Sequence, residues 1–149
     1  MKAFPMNDTD TTLAPLELLK QQFSQRDGFM RALGAELVEI KRGAATVRME
    51  VRDESLNFNG TCHGGAIFAL ADCAFGVASN SYGVLAAGID VHITYNAAAR
   101  LGDTLTATAR EVSRSRKIAV YEIEVKGDEA GLVSAFTGTV YIIGHKNYT

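Results

Sequence analysis

From Gly64 to Tyr82 the chain reads GGAIFALADCAFGVASNSY, and its only charged side chain is Asp72. A lone carboxylate in an apolar helix is costly, so it shifts its pKa or finds partners. The segment holds no basic residue for a salt bridge. One reading makes Asp72 a general base or nucleophile in a dry cleft, where desolvation tunes its pKa upward. The other makes it a satisfied buried polar group, or a cap for a neighbouring helix or loop. His63-Gly64-Gly65 stands at the start of the same segment. The first N–H groups of a helix have no intrahelical partner. With the positive end of the helix dipole, they can hold an anion or a developing oxyanion. Glycine lets a ligand carbonyl approach the backbone closely. Close packing against a strand explains a Gly-Gly helix start equally well.

Geometry links the two features. Gly64 and Asp72 are eight residues apart, about 12 Å along a helix rising 1.5 Å per residue. One acyl carbonyl cannot sit about 3 Å from both within a single chain. Acting together on one substrate requires a second chain, or a chain that folds back. Two such helices packed antiparallel about a two-fold axis would set Asp72 of one against Gly64 of the other.

Other constellations are weaker. Cys62 lies beside His63 at a helix start, a place that can lower a thiol pKa. Sequence neighbours seldom have the side-chain geometry for a Cys-His pair, so a small buried thiol is expected. Cys73 is about 100° round the helix from Asp72 and reads as core. Asp90 and His92 share a strand face, without an evident third metal ligand. Phe68 and Phe75 suit the core or the wall of a pocket. His145 is expected to be exposed.

The elements that must position these groups follow from periodicity. Thr12 is a candidate cap and Pro15 suits a first turn. Leu16, Leu19 and Phe23 predict an amphipathic helix to about Arg26. Asp27 is placed to cap a short helix over Phe29–Leu33, stopped by Gly34. Residues 35–41 form a candidate strand before the Lys41–Gly43 turn. Alternation in 45–52 predicts the next. Four more are expected after residue 85, around 90–96, 104–110, 119–126 and 132–143, separated by turn signals at 102–103, 113–115 and 127–131. The uninterrupted apolar stretch predicts one long central helix, about 63–82, buried all round. The fold class is therefore α+β: a mostly antiparallel sheet of five to six strands wrapped around that helix. Residues 1–26 read as a leader and short helix, and 27–149 as a single domain.

Composition sets the outer limits. At 149 residues the chain suits one domain with its own core. Fifteen basic and seventeen acidic residues give a net charge of −2, which argues against nucleic-acid binding. No stretch has the roughly 18 apolar residues of a membrane span. The first twelve residues carry no apolar signal core, so a cytoplasmic protein is expected. Two cysteines make no disulfide framework and lack zinc-site company.

Leu56-Asn57-Phe58-Asn59-Gly60-Thr61-Cys62-His63-Gly64-Gly65, followed by Phe68-Ala69-Leu70-Ala71-Asp72, closely resembles the signature of hotdog-fold acyl-CoA thioesterases. The match is to the phenylacetate-pathway (PaaI-type) branch of the 4-hydroxybenzoyl-CoA thioesterase superfamily. Asn80-Ser81 and Gly102–Ala107 are similar to that branch too, and the likeness spans about residues 28–143. The resemblance implies Asp72 as general base or nucleophile and the Gly64 N–H as oxyanion donor. It implies that His63 orients the thioester and that Asn57 positions the thioester or the water. It implies dimers or tetramers with sites at the subunit interface, no metal, and no cofactor beyond the coenzyme A of the substrate. Some relatives carry a threonine or serine one turn after the acid, where this chain has Gly76. Ser79 is the substitute considered for that hydroxyl.

Coenzyme A brings phosphates that need a basic site. Arg114, Arg116 and Lys117 cluster at one turn, and Arg100 is a second candidate. Gly65, beside Gly64, is a further substrate-binding candidate. The expected reaction is hydrolysis of an acyl-CoA, with an aryl or arylacetyl group such as hydroxyphenylacetyl as the first choice. The alternatives are a non-catalytic acyl-CoA-binding hotdog module and a hotdog hydratase. The hydratase pattern pairs a histidine with an acid differently from the order here.

Overall fold

The structure is a computed structural model that describes residues 13–149. Thr12 lies outside the described residues. Helix α1 (Leu16–Arg26) begins at Pro15 with no side-chain cap. The elbow after it is made by Asp27, whose carboxylate accepts the Met30 N–H at 2.8 Å and caps α2 (Gly28–Ala32). Strands β1 (Glu36–Lys41) and β2 (Ala44–Glu50) follow, then a 3-10 turn over Asp53–Ser55 and the long helix α3 (Gly64–Ser79). Strands β3 (Val84–Tyr95), β4 (Thr104–Arg114), β5 (Ile118–Gly127) and β6 (Gly131–Lys146) complete the chain. The expected order of two strands, one helix and four strands is observed. The six strands form one antiparallel sheet in the order β1-β2-β4-β5-β6-β3.

The sheet curls around α3, and their facing side chains make the core. Val47, Leu105, Tyr121, Ile123 and Val125 meet Leu70, Ala74 and Phe75 there. The Phe75 ring explains the glycine that interrupts β6. A Cβ at Gly138 would lie 2.6 Å from that ring, so only glycine lets helix and sheet close to this distance.

α3 differs from expectation in two ways. It ends at Ser79 rather than near residue 82 because Asn80 terminates it. The Asn80 side-chain amide donates to the Gly76 carbonyl at 3.0 Å, and its carbonyl accepts the Ala86 N–H at 3.0 Å. The helix is also not buried all round. Gly65, Asp72 and Gly76 are exposed along one stripe, since one chain's sheet covers only the other faces. Among the described residues β3 is an edge strand beside β6, and it is mostly exposed, including Ile89 and Tyr95. No helix among the described residues is long and apolar enough to cross a membrane.

Candidate active site

The loop before α3 is built by Asn57. Its carbonyl accepts the N–H groups of Asn59 (2.9 Å) and Thr61 (3.2 Å), and its amide donates to the Thr61 hydroxyl at 3.1 Å. Gly60 turns the loop at φ +74°, where a side chain would be strained. Asn57 lines a cavity of about 350 Å³ together with Gly64, Ile67, Tyr95 and Asn96. Its carboxamide is engaged in shaping that cavity's rim.

His63 is the N-cap of α3. Its Nδ1 accepts the Gly65 N–H at 2.8 Å, while its carbonyl accepts from Ala66 and Ile67. With Nδ1 as acceptor, the proton of the neutral ring is on Nε2. Gly65 is thereby satisfied, and among the described residues the Gly64 N–H has no partner. Gly64 lines the cavity at the positive end of the helix, where a free N–H favours negative charge. Tyr95 completes this end. Its hydroxyl donates to the Gly64 carbonyl at 3.2 Å, and a Cβ on Gly64 would meet its ring at 3.3 Å. Sequence reasoning treated Tyr95 only as a strand residue; its position thirty-one residues downstream gave no sign of this contact.

Asp72 opens into a second cavity of about 550 Å³, two turns along the same helix. Phe23, Arg26, Asp27 and Phe29 from the α1–α2 elbow form one wall, and Gly76, Val77 and Leu85 another. Asp72 is exposed in the single chain rather than fully buried as the sequence suggested. The apolar walls still desolvate its carboxyl, and the nearby Asp27 carboxylate repels its charge; both push its pKa above the ordinary aspartate range. Asp27 was expected as a helix cap, which it is; its second position beside Asp72 could not be read from the sequence. Gly76 leaves open space, since an added Cβ there meets nothing within 4 Å.

Several expected roles change. Ser79 is buried and donates to the Gly76 carbonyl at 3.2 Å, so its hydroxyl serves the helix and not Asp72. Burial pushes the Cys62 thiol up to about 11, opposite to an activated nucleophile. Cys73 is buried core, with burial as the main cause raising its thiol to about 12. Asp90 and His92 are exposed on the β3 edge, and no metal-sized cluster of His, Cys, Asp and Glu occurs among the described residues.

The basic turn divides. Arg114 points inward, its side chain only 13% exposed. Its Nε donates to Glu111 at 3.0 Å, and its guanidinium lies 4.0 Å from the centre of the Tyr82 ring. It is a structural cation, not a free phosphate ligand. Arg116 and Lys117 are exposed beside it, near the Asn80 end of α3. Arg100 is exposed at the other end, where it makes an isolated bridge to Thr61 in the loop before α3 and borders a separate cleft of about 490 Å³.

Comparison with known proteins places this arrangement. The thioesterase superfamily pattern matches residues 59–134. The Escherichia coli acyl-coenzyme A thioesterase PaaI is 37% identical over 120 residues, covering 80% of this chain and 86% of that protein. The solved structure of the E. coli PaaI protein from the phenylacetic acid degradation operon superposes with a TM-score of 0.85 at 34% identity, covering 88% and 95% of the two chains. A Streptococcus mutans protein solved with acetyl CoA bound gives a TM-score of 0.72 at 34% identity, covering 76% and 91%. The curled sheet around α3 is the hotdog fold of these neighbours.

Proposed function

This chain belongs to the thioesterase superfamily and is an acyl-CoA thioesterase; from that premise we propose that it hydrolyses an aryl- or arylacetyl-CoA at a site shared by two copies of the chain. Asp72 supplies the carboxylate that attacks the thioester carbonyl or activates water. The Gly64 N–H of the second copy stabilises the oxyanion, a contribution worth about 10²–10³-fold. His63 and Asn57 set the rim against which the thioester lies. The sulfur leaves as the coenzyme A thiol, and no other cofactor is called for. The observation that carries the reading is the separation along α3. An N–H without a partner among the described residues and a carboxylate in an apolar cavity lie eight residues apart on α3, too far for one chain to bring both to one carbonyl. Antiparallel pairing of two α3 stripes brings them together twice per dimer.

The same pairing draws Arg100 of the second copy to the end of α3 that already carries Arg116 and Lys117. These three cations, and not Arg114, suit the phosphates of coenzyme A. The likeness to the PaaI protein of a phenylacetic acid degradation operon supports an arylacetyl group. The acetyl CoA bound by the S. mutans neighbour supports the coenzyme A moiety.

The test is release of free thiol from phenylacetyl-, hydroxyphenylacetyl-, benzoyl-, acetyl- and long alkanoyl-CoA. A preference for the aryl members is expected. A preference for long alkanoyl chains would overturn the substrate class. Coenzyme A binding without turnover of any thioester would leave a binding module instead. Full activity of a monomer would overturn the shared site.

Asp27 gives a pH test of the site. Asp72 acts in its ionised form, so kcat/KM rises with pH through its raised pKa. Arg26, Asp27 and Cys73 are the titratable side chains around it in this cavity. Asp27→Asn keeps a good helix cap and removes the repelling charge. The acid limb of the kcat/KM profile is expected to move to lower pH, with the folding midpoint little changed. An unshifted limb would show that Asp27 does not act on the catalytic carboxylate.

A further inference from the structure

Residues 147–149, beyond β6, run from one wall of the Asp72 cavity to the other. At one end, the Asn147 amide donates to the main-chain carbonyl and to the side-chain Oδ1 of Asn80, both at 3.1 Å. The Asn147 N–H donates to the Gly83 carbonyl at 3.2 Å. The Tyr148 ring is seated on Gly83, where an added Cβ would meet it at 3.1 Å. At the other end, Gln22 of α1 donates from Nε2 to the Thr149 main-chain oxygen at 2.9 Å and to its hydroxyl at 3.2 Å. Arg26 donates to the same hydroxyl at 3.0 Å.

The first half of α1 is held in other ways. Leu19 belongs to the core, and Lys20 donates to the Val38 carbonyl of β1 at 2.8 Å. Past Lys20, the side-chain hydrogen bonds from α1 to elements beyond the elbow all go to Thr149 among the described residues. This section leads into the elbow that carries Asp27 and Phe29 on the cavity wall. The attachment is made at a cost. Gln22 Oε1 and Asn147 Oδ1 are buried without a hydrogen-bond partner among the described residues. Each acceptor has lost water and gained no donor. A tether serving stability alone gains little from such an arrangement, whereas one that fixes a position tolerates it.

We propose that residues 147–149 strap the α1–α2 elbow to the Asn80–Gly83 turn and so set the width of the cavity that receives the acyl group, with Gln22 and Asn147 as positioning residues. The inference rests on the reading of the Asp72 cavity as the acyl site. Asp27 and Phe29 stand on the strapped wall, and Asp72, Gly76 and Leu85 face them. Slackening the strap lets the first wall draw back while Asp72 stays in α3. A bulky acyl group then loses a contact, and an acetyl group, too short to span the cavity, loses little.

Cys73 reports on that wall directly. It lines the cavity and is buried, and burial and then the nearby Asp27 carboxylate raise its thiol pKa. Cys62, buried just before the start of α3, is the internal control. Gln22→Met keeps the bulk of the side chain and removes both bonds to Thr149 along with the orphaned acceptor. In the folded protein, iodoacetamide should then modify Cys73 at least about 10-fold faster, with the Cys62 rate unchanged. Asn147→Ala should give the same selective rise, and the double variant little more, since a strap released at one end is slack whatever holds the other. Gln22→Met should also lower the ratio of kcat/KM for phenylacetyl-CoA to that for acetyl-CoA by about 10-fold, the scale of one lost pocket contact, mostly through KM. Equal acceleration of both cysteines would mean general loosening, and an unchanged Cys73 rate would mean a wall held without the tail; either overturns the proposal. A selective rise with an unchanged kinetic ratio would overturn the role in acyl binding. Activity that survives Asp72→Asn removes the premise instead, and the labelling still decides whether the strap exists.

Discussion

Asp72→Asn is expected to lower kcat/KM for acyl-CoA hydrolysis by at least about 10²-fold, the usual contribution of a positioned acid or base. The amide matches the carboxylate in shape, so it still occupies the cavity beside Gly76, yet it neither attacks a carbonyl nor accepts a proton from water. The same change should raise the folding midpoint at neutral pH. Desolvation and then repulsion from Asp27 hold the Asp72 pKa above its unfolded value. The folded chain therefore binds the proton more readily than the unfolded chain. Stability from that proton is present below the unfolded pKa and lost as pH rises through the folded one. Asparagine removes this loss. Thermal melts should show the variant ahead of wild type at pH 8, with the gap closing near pH 4. Thiol release gives the kinetic arm. Retained activity would make the Asp72 carboxylate structural.

Glu111→Ala is expected to be the most destabilising single change near the basic turn, by about 3–5 kcal/mol. Glu111 accepts the Arg114 guanidinium at 3.0 Å and the Tyr121 hydroxyl at 2.6 Å. Both charged side chains are more than four-fifths covered. Alanine leaves a mostly buried cation and a fully buried phenol without their acceptor. A drop of this size corresponds to a fall in melting temperature of roughly 6–20 °C for a domain of this length. Glu111→Gln keeps an acceptor and should lose less. Glu111→Ala with Arg114→Ala should be more stable than Glu111→Ala alone, because the stranded charge is gone. Urea unfolding of the set checks the order. Equal stability of Glu111→Ala and wild type would show that Arg114 finds solvent without cost.

The two sites differ in how far the sequence discloses them. The strands were legible because Val47, Met49, Leu105, Ala107 and Ile123 alternate with polar neighbours, and Tyr121 keeps the same period although Val120 precedes it. Asp27 as a cap, and the HGG stretch as the start of a helix with the ALAD stretch two turns along it, were legible for equally local reasons. Arg114 was not. β4 carries an irregularity between Glu111 and Ser113, and one extra residue there reverses which face later side chains take. Strict alternation sends Arg114 outward; the bulge turns it in, onto Tyr82 and Glu111. The exposed stripe of α3 was illegible for another reason. Alanine and glycine suit a helix packed in its own core and a helix awaiting a second backbone, and composition is the same in both. Tyr95 and Leu85 join their cavities through tertiary closure alone, which no local pattern records.

The open edge of β3 also bears on what happens to a chain before it meets another. Among the described residues, nothing pairs with the outer side of the twelve-residue strand β3, and Ile89 and Tyr95 are exposed there. Such an edge templates any extended peptide that reaches it, correct or not. If two copies share a site as proposed, their association therefore competes with mispairing from the moment of synthesis. The competition is bimolecular on both sides, so crowding by unfolded chains, more than dilution, sets the yield of assembled protein.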